Sequence, residues 1–344
     1  MRKLTIFVLV MIVSLFGTSN SILDASKVTG YRINSDTDSY IDIEFNVKDI
    51  NIRDISTEKG MFTSVTIDKG YLTMVAGSPA LPTFHEIIAM PYGATPEVEV
   101  ISYDSKVYKL SELGIDNKII PAQPSYSKMT ADEDIKFIYD EESYSASKMS
   151  GEEIASVSKS GTMRGVGVGV LKVRPFKYNP TEGTIEVYNN LKVRVIYANA
   201  DPRAEEIKAE SYSPYFESAL QTLINYEPST VKADLLNYNI TYLIVASDAL
   251  TGNADLQRLI DWKTEKGFNV LVDYVSSSAG INTNDTWVEI QYNTLTPKPS
   301  FVLIVGDADA TYTVQAELDP PLGSTGNVCG SDLIYGVIGA TGSS

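Results

Sequence analysis

Three pieces of sequence decide the fold: Tyr242-Leu-Ile-Val245, Asn253-Ala-Asp-Leu-Gln-Arg-Leu-Ile-Asp-Trp-Lys-Thr-Glu-Lys266 and Phe301-Val-Leu-Ile-Val305. The first and third are short, wholly apolar runs, as expected of fully buried strands. In the second, Leu256, Leu259, Ile260 and Lys263 fall on one helical face. Gly267 follows, where a helix needs a residue tolerant of positive φ in order to stop. Phe268–Val272 is a further apolar run, and a weaker helical stretch carrying Trp287, Ile290 and Gln291 leads through Pro297 and Pro299 into the third piece. Buried strands alternating with helices predict βαβαβ with a parallel sheet. Ligands and chemistry gather at the carboxyl ends of such strands. That singles out Gly306-Asp-Ala-Asp309, with Asp307 and Asp309 at the end of the last strand.

Working towards the N-terminus, residues 203–238 form a connection, charged at first. It holds one expected helix, capped by Ser213 with Pro214 at its first position and Phe216, Leu220 and Leu223 on its apolar face. Residues 22–202 read as β-rich. Ile41, Ile43, Phe45 and Val47 alternate with polar residues at the period of a half-buried strand. Phe62–Ile67, Glu97–Ser102 and Ile135–Tyr139 are further candidates. Thr184–Tyr188 and Leu191–Tyr197 suggest a hairpin turning at Asn189-Asn190. Short strands separated by Gly, Pro and Asn predict an antiparallel sandwich. The acidic stretch 140–163 reads as a long exposed loop.

Met1-Arg2-Lys3 followed by the apolar run Leu4–Phe16 and small polar residues has the form of a secretory signal peptide, residues 1–21. It is too short to span a bilayer comfortably, and no later stretch approaches that length. No membrane span is therefore expected once the signal is cleaved. The expected organisation is signal peptide 1–21, sandwich 22–202, connection 203–238 and α/β domain 239–344. A net charge of −16 argues against a nucleic-acid partner.

One cysteine and one histidine exclude the usual zinc sites and an intramolecular disulfide. His85 and Cys329 fall in different expected domains, so the sequence predicts no catalytic dyad from this pair. The run Gly165-Val-Gly-Val-Gly-Val170 lacks the following helix that a phosphate cradle requires; Leu171-Lys-Val-Arg174 continues it as a strand. Asp307-Ala-Asp309-Ala-Thr311 resembles the first motif of haloacid-dehalogenase-type phosphatases, where paired aspartates work with magnesium. That motif ordinarily ends the first strand of its domain, whereas two strands precede it here.

A broader resemblance covers nearly everything after the signal peptide. Tyr242-Leu-Ile-Val245, Asp261-Trp-Lys263 with Gly267, Phe301-Val-Leu-Ile-Val-Gly-Asp307 and Ser331-Asp-Leu-Ile-Tyr-Gly336 resemble, in order and spacing, the start of the catalytic domain of gingipain-type cysteine peptidases. Gly77-Ser-Pro-Ala-Leu-Pro82, Met90-Pro91, Pro121-Ala-Gln123 and Val173-Arg-Pro-Phe-Lys-Tyr-Asn-Pro180 resemble that family's propeptide.

The resemblance implies a β-sandwich prodomain followed by an incomplete caspase-like α/β domain. It makes the chain the N-terminal portion of a secreted cysteine endopeptidase zymogen acting on protein or peptide substrates, with the propeptide packed on its own catalytic domain. The nucleophilic Cys and its His are expected downstream, in an Ala-Cys and a His-Gly segment, so no catalytic residue is assigned here. Arg203 and Lys232 are candidate activation cuts. Asp307 resembles a ligand of a structural calcium ion, although the loop expected to complete that site, 339–343, carries no carboxylate. Asp332 holds a family-like position without a catalytic role. A secreted, non-catalytic binding or adhesion module is the alternative, and the phosphatase a further one.

Overall fold

The computed structural model describes residues 21–23, 26–126, 128, 135–145, 153–228, 240–308, 311–319 and 329–338. Apart from Ser21, the expected signal peptide lies outside the described residues. The chain forms two compact units: one from residues up to Ile88, Ala94–Ser160 and Gly169–Asn199, the other from Ala89–Gly93, Gly161–Val168 and Ala200 onwards.

The β-rich region runs β1 (Ser21–Ile22), β2 (Gly30–Asp36), β3 (Tyr40–Asn46), β4 (Asp49–Thr57), β5 (Gly60–Thr66), β6 (Tyr71–Leu72), β7 (Pro82–Met90) and β8 (Thr95–Lys109). After helix α1 (Glu141–Ser145) come β9 (Ala155–Met163), β10 (Val166–Val173), β11 (Phe176–Asn179) and β12 (Thr184–Ala198). They make three sheets, ordered β1-β4-β5, β6-β7-β10-β9 and β11-β12-β3-β2, with β8 also paired to β12. The alternation read in β3 is real: Ile41, Ile43, Phe45 and Val47 are fully buried. Phe45 meets Phe84 of β7 at 5.3 Å between ring centroids, so the faces of two sheets share one core.

Several expectations are corrected here. Asn189-Asn190 is not a turn: β12 runs unbroken through it, with a bulge at which Asn190 takes φ 47°. The Asn189 side chain accepts from Val47 N at 2.6 Å, and Asn190 N donates to the Asn46 side chain at 2.9 Å. These side-chain amides hold the bulge against β3, so the hairpin signal served a different purpose. The true hairpin is β11–β12, and β8 runs from Thr95 to Lys109, far past Ser102.

Ile135–Tyr139 is not a strand. Gln123 uses its own amide to bond both the N–H and the C=O of Ile138, at 2.9 and 2.8 Å, replacing a partner strand. Phe137 and Tyr139 nevertheless pack on Phe62. The supposed loop 140–163 contains α1 and β9. The glycine run is part of β10, as its strand-like continuation implied.

In the second unit, α2 (Ala204–Glu210) and α3 (Glu217–Leu220) precede β13 (Thr241–Ser247), α4 (Ala254–Glu265), β14 (Asn269–Val275), α5 (Ile281–Thr294) and β15 (Phe301–Val305). A short ladder of β16 (Glu317–Asp319) and β17 (Cys329–Ser331) follows. The parallel sheet has the order β14-β13-β15. Because parallel crossovers are right-handed, steps to opposite sides of β13 place α4 and α5 on opposite faces. Accordingly Ile244 and Ala246 pack with Leu256, Leu259 and Ile260 of α4, while Leu243 and Val245 pack with Val288 of α5. Asn253 caps α4 by accepting from the N–H groups of Asp255 and Leu256, and Gly267 takes φ 91° just beyond it.

Two helices differ from expectation. Ile290 is 51% exposed, so α5 buries Val288, Asn284 and Asp285 instead. The helix expected from Ser213 starts at Glu217, and α2 was not anticipated. Ser213 accepts a hydrogen bond from Ser300 Oγ at 2.8 Å rather than capping. Leu220 and Leu223 are buried as expected, against Val166.

Candidate functional site

The carboxyl ends of β13, β14 and β15 are where this fold concentrates chemistry, because the first crossovers lead to opposite faces and leave a crevice there. Ser247 ends β13 fully buried, and its Oγ has no hydrogen-bond partner among the described residues. By alternation it faces the same side as Leu243 and Val245, the α5 side. Beyond β14, the first turns of α5 bury Asn284 and Asp285. Tyr335, in a short 3-10 turn over Leu333–Gly336, is also buried. Its hydroxyl donates to Gln315 O at 2.8 Å and accepts from Asn284 Nδ2 at 3.3 Å. Burial, aided by the nearby Asp332 and Asp285 carboxylates, raises the Tyr335 pKa, so the phenol stays protonated and remains a donor.

Asp307 stands exposed at the carboxyl end of β15. Its N–H donates to Tyr312 O and its C=O accepts from Val314 N, both at 2.8 Å. The turn is tight: a Cβ on Gly306 would lie 2.5 Å from Tyr312 O. Asp309 and the loop 339–343 lie outside the described residues. No group of three His, Cys, Asp or Glu able to hold a metal ion occurs among the described residues. Calcium wants six to eight oxygens, so the described residues alone do not fit the ion expected at Asp307. Asp332 is exposed and only its C=O takes part in the turn, accepting from Tyr335 N.

His85 lies on β7 in the first unit, stacked on Tyr71 at 4.9 Å with Nε2 3.1 Å from Thr83 Oγ1. Burial and then Lys172 and Arg174 depress its pKa, favouring the neutral ring. Cys329 belongs to β17 in the other unit. The described residues therefore offer a wall of buried hydroxyl and amide groups at the sheet's carboxyl end. Sequence reading missed Asn284, Asp285, Tyr335 and Ser247. The available signal was polar residues at helical spacing from Val288, on the face that α5 turns inward.

The fold is thus a strand-rich antiparallel module followed by the opening βαβαβ of a parallel α/β domain, and comparison with known proteins bears on its family. The family Propeptide_C25 matches residues 28–233, and peptidase family C25 matches residues 236–341. The chain belongs to the C25, gingipain-type family: a propeptide followed by the start of a C25 peptidase domain. It is 31% identical over 318 residues to Lys-gingipain of Porphyromonas gingivalis, covering 90% of this chain and 18% of that protein. It is 24% identical over 312 residues to gingipain R2 of the same species, covering 89% of this chain and 40% of that protein. The chain thus spans less than half of these relatives. Among solved structures, one on the zymogenic latency of gingipain K from P. gingivalis matches at 33% identity and TM-score 0.49, covering 52% of this chain and 98% of that one. A complex of the P. gingivalis RgpB pro- and mature domains matches at 24% identity and TM-score 0.46, covering 57% of this chain and 98% of that one.

Proposed function

We propose that this chain is the opening part of a secreted cysteine endopeptidase zymogen that cleaves protein or peptide substrates. The observation that carries the proposal is the succession, on one chain, of a C25 propeptide match and a C25 peptidase match that meet between residues 233 and 236. Propeptide-family and peptidase-family residues also share the second compact unit, which supports packing of the propeptide on its own catalytic domain. The chemistry belongs to residues expected beyond 344: a thiolate attacks the peptide carbonyl, a histidine moves the proton, and backbone N–H groups hold the oxyanion. The residues at hand bind and position. The buried Tyr335, Asn284 and Asp285 fix the loops that frame the crevice. The basic, apolar start of the chain supports export, and no helix among the described residues is long and apolar enough to cross a membrane.

The test is to read the coding region past codon 344 and express the whole reading frame. Autoprocessing that stops when the cysteine of a downstream Ala-Cys segment is changed to alanine supports the proposal. A frame that closes at 344 makes the binding-module account the better one. Structural calcium at Asp307 is a further part of the proposal and needs ligands from outside the described residues. In the full-length protein, EDTA should lower the melting temperature by several degrees, and Asp307→Asn should abolish that response. An EDTA-insensitive melt removes the ion.

A further inference from the structure

We infer that Arg164, at the tip of the β9–β10 turn, is the latch by which the propeptide stays bound to its peptidase domain after the connection between them is cut. It grips the sheet at the end opposite its chemistry. Arg164 and Gly165 turn the chain with φ of 52° and 77°. A Cβ on Gly165 would lie 2.9 Å from Ile207 O and from Lys208 Cα, so the turn is pressed against α2 with no room to slide. From this tip the guanidinium reaches out of the propeptide-family segment. Nη1 donates to Pro299 O at 2.8 Å and the group lies 5.8 Å from the Tyr292 ring, both in the peptidase-family segment; on its own side it lies 5.3 Å from the Phe216 ring. Nη2 is 3.4 Å from Tyr212 O. A planar cation with several fixed donors, held between two rings, is a contact that lysine cannot reproduce.

The place it grips is informative. Pro299 and Ser300 lead directly into Phe301, the first residue of β15, and Ser300 N donates to Thr241 O at the start of β13. Ser213, buried, accepts from buried Ser300 Oγ. Tyr215 meets Phe301 edge-on at 5.0 Å and stacks near Phe268 at 6.0 Å, just before β14. Every one of these peptidase-family contacts is at the amino ends of the parallel strands. Ser247, Asp307 and the first turns of α5 mark the carboxyl ends. The latch therefore holds the propeptide without occupying the crevice, so binding strength and blockade of the site are separable properties of different segments.

The inference rests on the zymogen reading, but its test needs no catalysis. In the 1–344 chain, a recognition sequence for a site-specific protease is placed between Lys232 and Ala233. The chain is then cut, and the two pieces are followed by size exclusion and by dissociation on dilution. The pieces of the otherwise unaltered chain should co-elute. Arg164→Ala should weaken their association roughly tenfold or more, Arg164→Glu should separate them, and Arg164→Lys should fall between. Tyr215→Ser, on the same surface from a second element, should also weaken association. Val107→Ser on exposed β8 should not.

Separation of the unaltered pieces, or an unchanged dissociation constant for a folded Arg164→Ala chain, overturns the latch. If Arg164→Ala does not fold, Tyr215→Ser decides: unchanged association overturns the docking surface. Loss of the protease reading, by contrast, would appear only in the thiol-dependent processing experiment.

Discussion

At the scale of the residue, the chain repeatedly gives one side chain a job that its type does not announce. Asn189 and Asn190 are common turn residues, yet here they stabilise a bulge in a continuous strand. Asn tolerates a positive φ, whereas a β-branched side chain does so badly. Asn190→Val should therefore destabilise the first unit by about 1–2 kcal/mol, and Asn190→Gly by less, as read by denaturant melts. Glu86 offers a pH test. Burial pushes its carboxyl up to about 7, with Lys69 pulling weakly the other way. A folded pKa above the ordinary 4.5 means that the native state favours the protonated form. The stability this lends is fully present below about pH 4.5 and is lost as pH rises through 7. Glu86→Gln should then stabilise the protein relative to the parent at pH 8, by about 1 kcal/mol once solvent screening is allowed for, and much less at pH 5. A gap independent of pH would show that the carboxylate is freely solvated.

At the scale of the element, the helices of the second unit separate local from tertiary control. Helix α4 was legible because its start, its stop and its apolar stripe all lie in its own sequence. Asn253→Ala removes the acceptor for two N–H groups and should cost about 1 kcal/mol, measurable as a lower melting temperature of the second unit. Helix α5 was only half legible. Of its apolar residues, Trp287 packs on the core beside Val288 but Ile290 stays exposed, and Asn284 and Asp285 are turned inward instead. Burying two polar side chains runs against the local pattern, and contacts such as Asn284 Nδ2 to the Tyr335 hydroxyl, donated across 51 positions of sequence, offset that cost. No window around α5 contains that partner.

At the scale of the whole molecule, the boundary between modules is not a point in the sequence. The family matches meet at residues 233–236, but Ala89–Gly93, Gly161–Val168 and residues from Ala200 join the compact unit built on the parallel sheet. Cutting at 239 would strip Ser213, Tyr215 and Arg164 from the amino end of that sheet. We therefore expect the fragment 239–344 to aggregate on expression, while a chain retaining residues 22–238 stays soluble; comparing soluble yield and light scattering of the two checks this. A monomeric, cooperatively melting 239–344 fragment would show that the propeptide segments are dispensable for folding.

Sequence by itself determined the periodic elements and their class. The buried strand Tyr242–Val245, helix α4 and the alternating β3 carry their burial pattern in consecutive residues, whereas Phe301–Val305, read from the same signal as buried, is only half-buried because it lies at an edge of the sheet. An ordered set of short motifs was enough to point to the family. Only the tertiary structure decided how polar residues are spent: that Gln123 serves Ile138 as a partner strand, that Asn190 bulges rather than turns, that Ser213 meets Ser300, and that Arg164 reaches Pro299 across 135 positions. Apolar periodicity follows from the local geometry of the backbone. A hydrogen bond between distant side chains follows only from where the folded chain brings them.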